Sequence, residues 1–138
     1  GKEMLEQSMK GAIDESKKQN IERPLIVGVT VLTSDADNQN ILATVIERAR
    51  LARDAGLDGV VCSVSEVAAV RKECGKDFII VTPGIRLAGS KSDDQKRIAT
   101  PEEANKAGAN YIVVGRPVLE AGDPLKVVQE ILQEMSGE

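Results

Sequence analysis

The sequence predicts a parallel α/β fold, a leading helix followed by four β-α units, and three observations predict it. Four short runs, Leu25–Leu32, Gly59–Cys62, Phe78–Thr82 and Tyr111–Gly115, are rich in Val and Ile and do not alternate with polar residues. Strands buried on both faces read this way, and such strands belong to parallel sheets. Helical patterns with clear start and stop signals separate the runs. Two joints, Ala55-Gly56-Leu57-Asp58-Gly59-Val60-Val61 and Ala107-Gly108-Ala109-Asn110-Tyr111-Ile112-Val113, nearly repeat. Each ends a helix on glycine, turns through a short polar residue and enters an apolar run, as successive units of one parallel architecture do.

Taken in order, a helix over about Met4–Lys18 comes first, and Arg23-Pro24 ends its connection to the first strand. After that strand, Asn40–Ala55 carries Ile41, Leu42, Val45, Ile46, Ala49 and Ala52 on one helical stripe. Ser63-Val64-Ser65-Glu66 reads as a capping box opening the next helix, which stops near Gly75. Thr100-Pro101-Glu102-Glu103 repeats that signal with proline at the first helical position, and Gly108 closes the helix. Asp123-Pro124 opens the last helix in the same manner. The polar stretches Asp35–Asn40 and Ala88–Lys96 are loops that follow strand C-termini. No linker divides the chain, so residues 1–138 form a single domain. Four units suit either a small doubly wound sheet or half of a (β/α)8 barrel. A whole barrel takes about 250 residues, so the barrel reading makes this chain part of one.

Composition narrows the chemistry. A net charge of -4 argues against nucleic acid or an anionic membrane as the main partner. Phe78 and Tyr111 are the only aromatic residues, too few for base stacking along a single strand. There is no histidine, which removes Ser-His-Asp and Cys-His catalysis and the usual zinc sites. Cys62 and Cys74 have no metal-like spacing and read as reduced thiols of a cytoplasmic protein. No apolar run approaches the roughly 20 residues of a membrane span, and the N-terminus has no signal-peptide core.

In parallel α/β folds the working residues sit at strand C-termini. The first strand here ends in Thr33-Ser34, the third in Pro83-Gly84-Ile85-Arg86, the fourth in Gly115-Arg116-Pro117. Glycine directly after a strand lets backbone N–H groups approach an anion. An arginine beside it offers a planar fork for phosphate oxygens. Two such ends in succession, with the glutamine-bearing loop Asp93-Asp94-Gln95-Lys96-Arg97, point to a phosphate site.

The blocks VTVLTS, GLDGVVCS, VTPGIR, DDQKR, TPEEA and YIVVGRP, in this order, resemble the orotidine 5′-phosphate decarboxylase family from about Leu25 to Pro124. The resemblance implies the C-terminal half of a (β/α)8 barrel, its last four βα units, with the leading helix as the family's fourth. It implies that Arg116 and the Gly115 backbone hold the substrate phosphate, that Gln95 bridges phosphate and base, and that Arg86 helps bind the nucleotide. Thr33 and Ser34 then sit beside the pyrimidine and Pro83 lines the base pocket. The implied partner is a nucleotide monophosphate, orotidine or uridine monophosphate, and the implied chemistry is a decarboxylation without cofactor or metal.

The family's catalytic Asp-x-Lys-x-x-Asp array is not in this sequence. The nearest match, Asp94-Gln95-Lys96-Arg97-Ile98-Ala99, lacks the second aspartate and overlaps the loop motif. No catalytic residue is therefore expected here, and the chain alone is expected to be inactive. A half barrel also leaves two open strand edges and an uncovered apolar face. It is expected to form a homo-oligomer or to pair with a complementary N-terminal half.

Overall fold

The computed structural model describes residues 1–31, 40–87 and 98–136. Helix α1 (Lys2–Gln19) is followed by β1 (Val27–Val29), α2 (Ile41–Asp54), β2 (Gly59–Val61), α3 (Val64–Cys74), β3 (Ile79–Thr82), α4 (Pro101–Ala107), β4 (Tyr111–Ile112), the short α5 (Arg116–Leu119) and α6 (Pro124–Ser136). The four strands form one parallel sheet in the order β1-β2-β3-β4. This order decides between the two architectures left open by spacing. A doubly wound sheet reverses direction at a switch point, whereas here every strand lies beside its predecessor, as around a barrel wall. Right-handed crossovers then put all the helices on one face. Consistent with this, α1 packs on α2, α2 on α3, α3 on α4, and α4 on α6.

The strands are shorter than the apolar runs that announced them, most of all β4, reduced to Tyr111–Ile112. The physical reason is the open sheet. Among the described residues β1 and β4 each have a neighbour on one side only, so half their ladder positions have no partner there. The helix signals are matched closely. Ser63 with Glu66 and Thr100 with Glu103 form complete capping boxes, and Pro101 occupies the first turn of α4. Asp123 caps α6 by accepting the Lys126 N–H at 3.1 Å. Helix α5 had no forecast in the sequence.

The core lies between the sheet and the helix layer. Val45, Ala49 and Ala52 of α2 and Val67 and Val70 of α3 close over Val60 and Ile80, all essentially without exposure. Gly59 is required by close approach, since a Cβ there would meet the Ile79 carbonyl oxygen at 2.1 Å. Seen from the other side the sheet is bare. Val29, Tyr111 and Val113 are 59%, 55% and 53% exposed. The uncovered apolar face expected of a half barrel is thus present among the described residues.

Candidate functional site

The candidate site occupies the C-terminal ends of β3 and β4. These strands are adjacent and parallel, with Val81 opposite Tyr111 and Thr82 opposite Ile112. The N–H of Val113 extends the pairing by donating to the Thr82 carbonyl at 2.9 Å. The two Gly/Arg ends picked out in the sequence therefore emerge side by side.

After Thr82 the chain passes through Pro83 and turns at Gly84, whose φ of 78° is the left-handed region that glycine enters freely. The turn delivers Ile85 into a parallel bridge with Ala99. The Arg86 N–H donates to the Ala99 carbonyl at 2.9 Å, and the Ala99 N–H to the Gly84 carbonyl at 3.2 Å. The bridge fixes both stems of the loop that carries Gln95, and it had no forecast in the sequence. A signal was available: Thr100 precedes proline and is biased toward extended backbone, and the apolar Ile98 and Ala99 lead into it.

Arg86 is only 9% exposed. Its Nη1 donates to the Ile85 carbonyl at 2.9 Å, while Nη2 is buried with no hydrogen-bond partner among the described residues. A buried guanidinium nitrogen without an acceptor is costly, and an anionic ligand oxygen would satisfy it. On β4, Gly115 leads into α5, and its carbonyl accepts the Val118 and Leu119 N–H groups at 3.0 and 3.1 Å. A Cβ added at Gly115 would meet nothing within 4 Å, so there is open space above it. Arg116 is half-buried and opens α5.

Pro83 lines a cavity of about 400 Å³ with Ser63, Val64, Ser65, Ile98, Ala99 and Glu103. Here the capping residues of α3 form part of a wall. The buried Glu66 carboxylate accepts the Ser63 N–H at 2.8 Å, the Ser65 hydroxyl at 3.1 Å and also the Ser63 hydroxyl. Of the residues named from the sequence, Pro83 and Arg86 follow β3, and Gly115 and Arg116 follow the adjacent β4. Thr33, Ser34 and Gln95 lie outside the described residues, as do Asp94 and Lys96 of the rejected array.

Residues 4–131 match the model of the Orotidine 5′-phosphate decarboxylase / HUMPS family. The chain is 43% identical over 143 residues to the orotidine 5′-phosphate decarboxylase of Geobacter sp. (strain M21), covering 98% of this chain and 59% of that protein. It is 51% identical over 116 residues to the enzyme of Actinobacillus pleuropneumoniae serotype 5b (strain L20), covering 78% and 50%. Among solved structures, orotidine 5′-phosphate decarboxylase from Lactobacillus acidophilus superposes with a TM-score of 0.79 at 32% identity, over 98% of this chain and 59% of that one. The chain thus spans between half and three fifths of the length of such relatives. The ordered motifs, the sequential parallel sheet and these similarities agree: the chain belongs to the orotidine 5′-phosphate decarboxylase / HUMPS family.

Proposed function

We infer that this chain is the phosphate- and base-binding half of an orotidine 5′-phosphate decarboxylase, the carboxy-lyase that converts orotidine monophosphate to uridine monophosphate and carbon dioxide in pyrimidine synthesis. The observation that carries the reading is the pair of segments that follow neighbouring strands, Pro83–Arg86 after β3 and Gly115–Arg116 after β4, with the buried Arg86 Nη2 lacking an acceptor among the described residues. In this reading Arg116 and the Gly115 N–H hold the phosphate, Arg86 and Gln95 close on the nucleotide, and Thr33, Ser34 and Pro83 border the base. Gripping the phosphate far from the reacting carbon supplies binding free energy that the chemical step draws on. A fixed charge array stabilising the developing carbanion supplies the rest, and that array must come from outside these 138 residues. The setting proposed is the cytoplasm; among the described residues no helix is long and apolar enough to cross a membrane.

The absence of Asp-x-Lys-x-x-Asp from the sequence favours a second role for the isolated chain, as a nucleotide-binding half barrel without turnover. The bare sheet face calls for a covering partner in either case, a second copy or an N-terminal half. One experiment separates these readings. Decarboxylation of orotidine monophosphate is followed by ultraviolet absorbance, first with this chain alone and then with the N-terminal half of a relative added. Silence alone and turnover on mixing is the expected result. Turnover by the chain alone would overturn the assignment of catalysis to an absent array. Silence in both, with no uridine monophosphate bound at millimolar concentration, would overturn the nucleotide reading.

A further inference from the structure

The backbone of Arg86 is tied, through one peptide, to a carboxylate on α4. β2 and β3 lead into their helices differently. After β2 only Cys62 precedes Ser63, the cap of α3, so the strand itself places the helix start. After β3 residues 83–99 intervene before Thr100, the cap of α4. The chain is tied back at Ala99, which accepts the Arg86 N–H at 2.9 Å and donates its own N–H to the Gly84 carbonyl at 3.2 Å.

The Arg86 guanidinium follows its backbone. Nη1 donates to the carbonyl of Ile85, the residue next to it. Among the described residues that bond orients the buried fork, so whatever fixes the backbone at Ile85 and Arg86 also aims Nη2. Ile85 is 1% exposed and pairs with Ala99.

Ala99 is in turn fixed from α4. Pro101 and Ala104 are buried and anchor the first turn of that helix. Thr100 joins the turn to Ala99 with extended backbone, φ −82° and ψ 161°, as suits a residue before proline. The exposed Glu103 accepts the Thr100 N–H on its carboxylate at 2.8 Å, and the Thr100 hydroxyl accepts the Glu103 N–H at 3.1 Å. The Ala99 carbonyl and the Thr100 N–H belong to one planar peptide. That plane is therefore gripped from both sides, by the Glu103 carboxylate at its N–H and by the Arg86 N–H at its carbonyl. Hydrogen bonds linked in this way polarise one another.

We propose that Glu103 is a positioning residue for the nucleotide: it holds the Ala99–Thr100 peptide, and that peptide holds Arg86 in the pose that presents Nη2 to the ligand. The proposal rests on the reading of Arg86 as a nucleotide-binding residue. Glu103 acts through the peptide and not on the ligand.

Calorimetric titration with uridine monophosphate and amide hydrogen exchange test it on the parent chain and four variants. Glu103→Ala should lose about fivefold in affinity, one helix-start interaction felt at the ligand. Its Arg86 and Ala99 amides should exchange faster while those of β2 stay protected, an arm that needs no ligand. Glu103→Gln keeps an acceptor at the same place and should restore both. Asp58→Asn weakens the opposite end of the sheet and should change neither. With Arg86→Ala already present, Glu103→Ala should cost no further affinity, because the two act as a unit. Full affinity in Glu103→Ala beside a weakened Arg86→Ala would overturn the positioning role and leave the Arg86 reading intact. So would a fivefold loss that persists without Arg86, or faster exchange over the whole sheet. Parent-level binding by Arg86→Ala, or no binding by the parent chain, would overturn the reading itself and the proposal with it.

Discussion

Asn110 does for β3 what Asp58 does for β1: each side-chain oxygen takes an N–H at the start of the preceding strand, that of Ile80 at 2.9 Å and that of Ile26 at 2.7 Å. Each is in turn held by an arginine. Arg23 grips Asp58 with two bonds of 2.8 and 2.7 Å, and Arg71 reaches Asn110 at 2.7 Å. Both devices sit at the N-terminal end of the sheet, away from the candidate site, where side chains serve stability in barrels of this kind.

Arg71 carries the larger share of this end. Besides Asn110 it donates to the carbonyls of Gly75, Lys76, Phe78 and Gly108, tying the end of α3 to the start of β3 and the end of α4. Arg71→Ala leaves several of these acceptors without a donor. A loss of about 2–4 kcal/mol is expected, read as a lower urea midpoint with an unchanged slope. Arg71→Lys should recover little, because an ammonium cannot reproduce the planar fork.

Asp58 makes part of the stability depend on pH. Its hydrogen bonds to Arg23 hold the carboxyl below its ordinary value; burial opposes this, and the Ile26 N–H adds to the lowering. A carboxyl with a depressed folded-state pKa stabilises the fold above its unfolded value of about 3.9 and loses that contribution as pH falls through the folded value. Asp58→Asn should therefore cost stability at pH 7 and progressively less below pH ~4. Urea titrations of both proteins at several pH values check this; a constant difference would remove Asp58 from the acid response.

Gly59→Ala is expected to be severe. The new methyl would lie 2.1 Å from the Ile79 carbonyl oxygen in the middle of the sheet, so β2 and β3 must separate or shift register. Overpacking of this kind costs about 1–3 kcal/mol or more. Thermal unfolding followed by circular dichroism should show a clear drop in Tm.

Much of this was legible in advance. The apolar runs located every strand, and Ser63, Glu66, Thr100 and Glu103 announced two helix starts because capping is a local interaction between residues three apart. Strand ends were misjudged because they depend on neighbours: Val114 has the composition of a strand but lies past the last ladder bond of β4, the Val113 N–H on the Thr82 carbonyl. Sheet order was likewise beyond spacing, since crossovers of similar length serve both architectures. At the site, Arg86 and Arg116 stood out by chemistry alone. The burial of Arg86 and the Ile85–Ala99 bridge did not, because both arise from contacts across a loop.

Thr82 offers a test in the opposite direction. Its Oγ1 is fully buried and has no hydrogen-bond partner among the described residues. Valine has the same shape without the polar atom, so Thr82→Val should be neutral or stabilising by about 1 kcal/mol. A loss of stability would mean that the hydroxyl has an acceptor outside the described residues.

The two site arginines should separate by what they recognise. If Arg116 holds the phosphate, Arg116→Ala weakens uridine monophosphate binding and leaves uridine binding unchanged, so the preference for the phosphorylated ligand disappears. A charge-assisted contact of about 1.5–3 kcal/mol corresponds to a loss of roughly 10- to 150-fold. Arg86 is buried, so Arg86→Ala can also disturb the fold around Ile85 and Ala99, and its effect has to be read against a stability measurement. If the Nη2 nitrogen is satisfied by ligand, saturating uridine monophosphate should raise the Tm of the parent chain more than that of Arg86→Ala. Calorimetric titration and thermal shift give both readouts. Equal loss of uridine and uridine monophosphate binding in Arg116→Ala would place that side chain at the base or in the fold, and the phosphate would need another holder.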